Sequence, residues 1–239
     1  MRKSVCKCLR LISPLVINGI KLNLYNKNIN HSSAKEPQQL LVFDKVSQFN
    51  GHRCIFRHLS LTVDAPRVCI TGPNGIGKTT LLLLAAGLIS PREGEITYQK
   101  QNVLLASSKN NIGISASKVA LPAFMTVKEL LKFHALQFKC PANNWTSEFG
   151  LEPYLTTKVS DLSLGNYKKL SLITALMHQP ELLLLDEPGN GLDEQARSVL
   201  EKVLNSYPGQ IVVASHETVF SDNTEVQHIA LENIIDGAV

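Results

Sequence analysis

The stretch that most limits what this chain can be is Gly72-Pro73-Asn74-Gly75-Ile76-Gly77-Lys78-Thr79, which fits the phosphate-binding pattern G-x-x-x-x-G-K-[ST]. Before it stands Arg67-Val68-Cys69-Ile70-Thr71, an apolar, β-branched run that reads as a buried strand. After it comes Leu81-Leu82-Leu83-Leu84-Ala85-Ala86, which reads as a helix closed by Gly87. A glycine loop between strand and helix lets backbone N–H groups turn inward, and the helix N-terminus adds positive potential. The result is an anion cradle. Lys78 can reach β- and γ-phosphates, and the Thr79 hydroxyl can hold Mg²⁺.

The 239 residues allow one large domain or two small ones, and 44% hydrophobic residues supply a core. The apolar run Leu81 to Ile89 is nine residues, too short to cross a bilayer. Five scattered cysteines (Cys6, Cys8, Cys54, Cys69, Cys140) form no facing C-x-x-C pairs, which argues against a disulfide framework and fits a reducing cytosol. Charge is uneven. Residues 1–39 hold seven Lys or Arg against one acid, Glu36, a net +6, so the rest of the +4 chain sums to −2. A nearly neutral body gives no reason to expect a nucleic-acid groove. The basic extension, residues 1–39, is expected to be disordered. A signal or transit peptide is the alternative, but Pro14 and Gly19 break its apolar centre.

From Leu40 onward, Leu40–Phe43 and Cys54–Val63 read as strands flanking an Asn50-Gly51 turn. Phe49, 29 residues before Lys78, is either a ring that stacks on adenine or an edge-strand core residue. Glu95–Tyr98 and Ile112–Ile114 read as further strands. Thr126-Val127-Lys128-Glu129 is a capping box leading a helical stripe through Phe138, on which His134 reads as a packing residue. Trp145, Phe149 and Leu151 read as the core of a small helical region.

A second element of the phosphate site follows. Leu182-Leu183-Leu184-Leu185-Asp186-Glu187 reads as a central parallel strand buried on both faces, its carboxylates at the end where ligands bind in open α/β sheets. Asp186 would help hold Mg²⁺ through its water shell, and Glu187 would polarise the attacking water. Gln210–Ser215 reads as another buried strand with His216 at its C-terminal end, placed for a γ-phosphate contact. Between these halves, Ser163 reads as the N-cap of a helix running through Met177, with Gly165 allowing close backbone approach.

With these motifs in order, residues 40 to 235 resemble the ATP-binding subunit of ABC transporters. The matching stretches are the aromatic Phe49, Walker A from Gly72 to Thr79, the signature from Leu162 to Asn166, and Walker B from Leu182 to Asp186. The catalytic Glu187, the D-loop Asn190-Gly191-Leu192-Asp193 and the switch His216 complete the series. The resemblance implies an α/β phosphate-loop NTPase with a RecA-like parallel-sheet core, an antiparallel β subdomain and a small helical subdomain over about residues 118–178. It implies ATP contacts at Phe49, Gly72, Pro73, Asn74, Gly75, Ile76, Gly77, Lys78, Thr79 and Thr80, and Mg²⁺ at Thr79 and Asp186. It further implies that Ser163, Leu164, Gly165 and Asn166 act in trans, on the nucleotide of a second copy in a head-to-tail homodimer.

Two departures stand out. Leu164 and Asn166 replace a glycine and a glutamine of the signature. Where the family has a Q-loop glutamine, this chain has Ser117, which bears on the Mg²⁺ contact and on coupling to a membrane subunit. The expected function is an ATPase that drives a separately encoded transmembrane permease at the cytoplasmic face of the inner membrane. Export is preferred because only 23 residues follow His216, leaving no room for a regulatory domain. Ile70-Thr71-Gly72 and the Ala86–Pro91 turn look similar to haem-exporter ATPases, whereas Ser163-Leu164-Gly165 looks similar to antibiotic- and peptide-exporter ATPases. Two alternatives remain open: a soluble ABC-type ATPase not tied to transport, and a weakly hydrolysing, nucleotide-gated binding subunit.

Overall fold

A computed structural model describes residues 40–141, 143–216, 220 and 225–236. The basic extension, residues 1–39, lies outside the described residues. Leu41–Asn50 (β1) and Arg53–Val63 (β2) form a hairpin whose turn holds Gly51 at φ 59°. With Glu93–Tyr98 (β4) and Gln101–Asn102 (β5) they build an antiparallel sheet in the order β2-β1-β4-β5. A second sheet is parallel and runs β6-β7-β8-β3-β9. Its strands are Ile112–Ser115 (β6), Leu182–Asp186 (β7), Gln210–Ala214 (β8), Arg67–Thr71 (β3) and Gln227–Ala230 (β9).

The parallel sheet is covered on both faces, and the four leucines of β7 show how. Side chains alternate across a strand, so Leu182 and Leu184 enter one core and Leu183 and Leu185 the other. On the first face, Val212 and Ala214 of β8 join helix α1 (Lys78–Ala85) and the antiparallel sheet around Phe43 and Phe56. On the second face, Ile211 and Val213 join helices α4 (Leu164–Leu176) and α5 (Glu194–Ser206). The helices between β6 and β7, α2 (Val127–Phe138), α3 (Trp145–Glu148) and α4, share that second core. Phe149 and Leu151 sit beside Leu170 and Leu183 within it. A last helix, α6 (Leu231–Asp236), follows β9.

Local signals account for the helix starts. Thr126 accepts from the Glu129 N–H at 3.3 Å while the Glu129 carboxylate accepts from the Thr126 N–H at 2.9 Å, closing the capping box of α2. Ser163 caps α4 by accepting from the Asn166 N–H. Asp193 caps α5 by accepting from the Ala196 N–H. The C-terminal end of α5 is tied to the sheet by Arg67. Its guanidinium donates to the Leu204 carbonyl at 3.2 Å and the Gly209 carbonyl at 2.8 Å, and also to the Tyr207 carbonyl. A cation there meets the negative end of the helix dipole.

Strand lengths place the site. Ser115 of β6 pairs with Leu185, and Asp186 pairs with Ala214 of β8. The C-terminal ends of β3, β7 and β8 therefore lie together, one at the head of the phosphate loop and two carrying its partners.

Candidate functional site

The phosphate loop leaves β3 at Thr71 and enters α1 at Lys78. Three of its backbone turns need glycine: Gly72, Gly75 and Gly77 have φ of 142°, 79° and 121°. At Gly77 the neighbours also forbid a side chain, because a Cβ would stand 2.7 Å from Ile55 Cγ2 of β2. The loop thus rests directly on the antiparallel sheet. Within it the Ile76 N–H donates to the Pro73 carbonyl at 3.3 Å. No side chain caps α1, so its first N–H groups face the loop without a side-chain partner.

Lys78 is buried, and its ammonium donates to the Gly72 carbonyl at 2.5 Å and lies 2.9 Å from His216 Nε2. Lys78 offers only protons, so Nε2 is the acceptor in that bond. The same nitrogen lies 3.1 Å from Asn74 Oδ1 and 3.8 Å from Glu187 Oε1. The Thr79 hydroxyl donates to Asp186 Oδ2 at 2.9 Å, and the Ser117 hydroxyl donates to the same oxygen at 3.2 Å. Glu187 Oε2 accepts from the Ser215 hydroxyl at 3.4 Å. A cavity of about 380 Å³ opens here, lined by Asn50, Arg53, Ile55, Asn74, Gly75, Gly77, Lys78, Thr79, Thr80, Ser117, Lys118, Asp186 and Glu187.

This arrangement gathers the loop, Ser117, Asp186, Glu187 and His216 into one place. Other sequence candidates lie apart. Phe49 does not line the cavity, which its β1 neighbour Asn50 does. The Phe49 ring instead packs under the Arg92 guanidinium, 5.4 Å from its centroid.

Ser163, Gly165 and Asn166 also lie off this cavity. Leu164 is 81% exposed, so the start of α4 presents an apolar side chain outward. Gly165 is needed for its small size, since a Cβ would stand 2.9 Å from the Gly191 carbonyl. Asp193 binds the Lys169 ammonium at 2.5 Å, and that bond, with the Ala196 N–H, holds its carboxyl below the usual carboxylate range. These contacts lock the signature stretch to the D-loop of the same chain.

Residues in or beside the cavity also escaped the sequence reading, among them Arg53, Lys118 and Ser215. Arg53 donates to the Gly75 carbonyl at 3.2 Å from the strand after the hairpin turn. Lys118 follows Ser117 directly, and Ser215 precedes His216. The last two flank motif positions, so a wider window around each motif would have found them. Nothing in local sequence announces Arg53.

The oxygen donors meet the requirements of a hard cation. Thr79 and Asp186 supply a hydroxyl and a carboxylate already in contact, a set that suits Mg²⁺ completed by phosphate oxygens and water. Among the described residues, no cluster of three or more His, Cys, Asp or Glu forms an all-protein metal cage.

Comparison with known proteins follows the same lines. A family model described as ABC transporter matches residues 56–190. The chain is 35% identical over 173 residues to the Nod factor export ATP-binding protein I of Rhizobium johnstonii, covering 67% of this chain and 55% of that protein. It is 29% identical over 202 residues to the ribosome protection protein VmlR of Bacillus subtilis, covering 83% of this chain and 35% of that protein. The chain thus spans less than two thirds of the length of either relative. In three dimensions it is similar to a dimeric bacterial ABC transporter cassette, with a TM-score of 0.66 at 20% identity over 80% of this chain and 94% of the other.

Proposed function

The chain belongs to the ABC transporter family, and from that premise we propose that it binds and hydrolyses Mg·ATP as one half of a two-copy ATPase. The observation that carries this reading is the convergence of Lys78, Thr79, Asp186 and Glu187 on one cavity at the C-terminal ends of parallel strands. On binding, the Lys78 ammonium exchanges the Gly72 carbonyl and His216 for β- and γ-phosphate oxygens. Thr79 and Asp186 hold the cation, which would neutralise charge on those phosphates when bound. Glu187 accepts a proton from the attacking water, and His216, freed from Lys78, turns its ring to the γ-phosphate.

The signature stretch supports the two-copy reading, because Ser163 and Gly165 do not reach the cavity of their own chain. A homodimer would bring them to the nucleotide of the neighbour, with the positive, N-terminal end of the α4 dipole aimed at its γ-phosphate. Export by a separately encoded permease, at the cytoplasmic face of the inner membrane, fits two observations. One is the export function in the name of the Rhizobium relative. The other is an apolar face where Leu88, Leu104 and Leu105 are about half exposed at the far end of α1. Among the described residues no helix is long and apolar enough to cross a membrane. The ribosome-protecting relative favours a second reading, an ATPase that docks the same apolar face on a ribosome. Fractionation of a tagged chain separates the two: it travels with membranes in the first case and with ribosomes in the second.

Lys78→Ala tests the nucleotide site. Loss of the ammonium is expected to weaken Mg·ATP binding by at least tenfold while melting stays cooperative, read by equilibrium binding and circular dichroism. Undiminished affinity in the folded variant would falsify the assignment.

A further inference from the structure

Lys168 takes no part in the phosphate cradle, yet it reaches the end of β7 from the side of α4, its ammonium donating to the Asp186 carbonyl at 2.9 Å. The sheet explains why a donor is needed there. In a trans peptide the C=O and the following N–H point to opposite sides. The Glu187 N–H donates to Ala214 of β8 at 2.8 Å, so the Asp186 carbonyl faces the β6 side. On that side β6 has already stopped, since its last pair is Ser115 with Leu185. The carbonyl therefore has no strand to bond, and a buried backbone acceptor requires a donor from elsewhere. Lys168 provides it.

The Asp186–Glu187 peptide is thus gripped at both ends, by β8 through its N–H and by α4 through its C=O. Directly after it, Glu187 adopts φ 44°, the left-handed region that a non-glycine residue keeps only where its surroundings hold it. The turn sends the Glu187 side chain back toward Ser215 and His216. Burial lowers the Lys168 pKa, and the neighbouring Asp186 and Glu187 carboxylates oppose that shift and favour the charged donor.

We propose that Lys168 is a positioning residue that clamps the Asp186–Glu187 peptide and thereby aims the Glu187 carboxylate. The proposal rests on the reading of Glu187 as the group that polarises the attacking water. Because Lys168 lies on the helix capped by Ser163, any shift of the signature stretch also moves the clamp. The aim of the carboxylate is then tied to the state of α4.

The test compares Lys168→Met, which keeps the stem and removes the donor, with Lys168→Arg, which keeps a donor. Mg·ATP affinity, KM and kcat are measured on the full chain, with Glu187→Gln in parallel. Lys168→Met is expected to lower kcat at least tenfold while KM and Mg·ATP affinity stay within about twofold, the pattern of a group acting only in the chemical step. Lys168→Arg should recover a large part of kcat. A purely structural lysine would move affinity and melting temperature together with kcat and would not be rescued by the bulkier arginine. Parental kcat in Lys168→Met, or a loss of kcat matched by a loss of affinity, overturns the clamp. If Lys168→Met fails to melt cooperatively, Lys168→Leu, which also lacks a donor, decides by the same split. A Glu187→Gln chain that turns over normally removes the premise and the clamp with it. A dead Glu187→Gln beside a normal Lys168→Met removes the clamp alone.

Discussion

Asp186 Oδ2 accepts two hydroxyls, from Thr79 and from Ser117, and this double contact gives the departure at position 117 a physical content. A glutamine there would reach farther into the cavity with an amide. Serine keeps a single short hydroxyl, spent on orienting the carboxylate that would hold Mg²⁺. Orientation of a ligating carboxylate by a neighbour commonly tunes metal affinity. Ser117→Ala removes one hydrogen bond, worth about 1 kcal/mol or roughly fivefold in affinity. The Mg²⁺ concentration for half-maximal turnover should rise by about that factor, while ATP binding measured without Mg²⁺ stays unchanged. An unaltered Mg²⁺ dependence would show that the Ser117 hydroxyl merely satisfies Asp186. Single positions such as 117 and 187 were readable in sequence because motif spacing numbers them. Lys168 was not, because its partner is a carbonyl exposed by the early end of β6, a fact of register that no window of sequence contains.

Between elements, the contact of α2 with the end of α4 carries a titratable pair. His134 Nε2 lies 3.3 Å from His178 Nδ1, and the Phe138 ring stands 4.4 Å and 4.6 Å from the two imidazoles. Burial, reinforced by His178, pushes the His134 pKa down to about 4, and burial lowers that of His178 as well. An unfolded histidine takes its proton near pH 6.5. Between there and about pH 4 the unfolded chain binds protons that the folded one refuses, so stability falls as pH drops through that window. His134→Phe should flatten the dependence of the denaturation midpoint on pH across it; an unchanged slope would place the sensitivity elsewhere. The helical stripe itself was legible, since the capping box and apolar spacing predict α2 to within a residue. Helix α5 lies outside the motifs, but its sequence carries a signal: Ala196, Leu200, Val203 and Leu204 fall at helical spacing behind an Asp N-cap. The short β9 and α6 had no such signal. β9 is a strand of four residues whose place is set by pairing with β3.

At the scale of the whole molecule the open question is where the signature stretch acts. One copy keeps Ser163 and Gly165 away from its own phosphate cavity and turns Leu164 outward, 81% exposed. A two-fold dimer makes every contact twice, so each site would draw its phosphate loop from one copy and its signature from the other. Two inactive variants then hold different halves of a site. Lys78→Ala spoils the loop and leaves the signature whole; Ser163→Arg does the reverse. In a mixed dimer one site collects both lesions and the other has none. With independent sites, equal mixing should restore about a quarter of the parental turnover, since about half the dimers are mixed and each has one intact site of two. The recovered activity should also climb more steeply than total protein at low concentration, because dimers form by mass action. Mixed dimers that form and stay inactive, as shown by pull-down of two tags, would mean that both sites must fire together or that Ser163 does not serve the neighbour. Full activity in Ser163→Arg alone would remove the signature from the site and leave the phosphate loop working without a second copy.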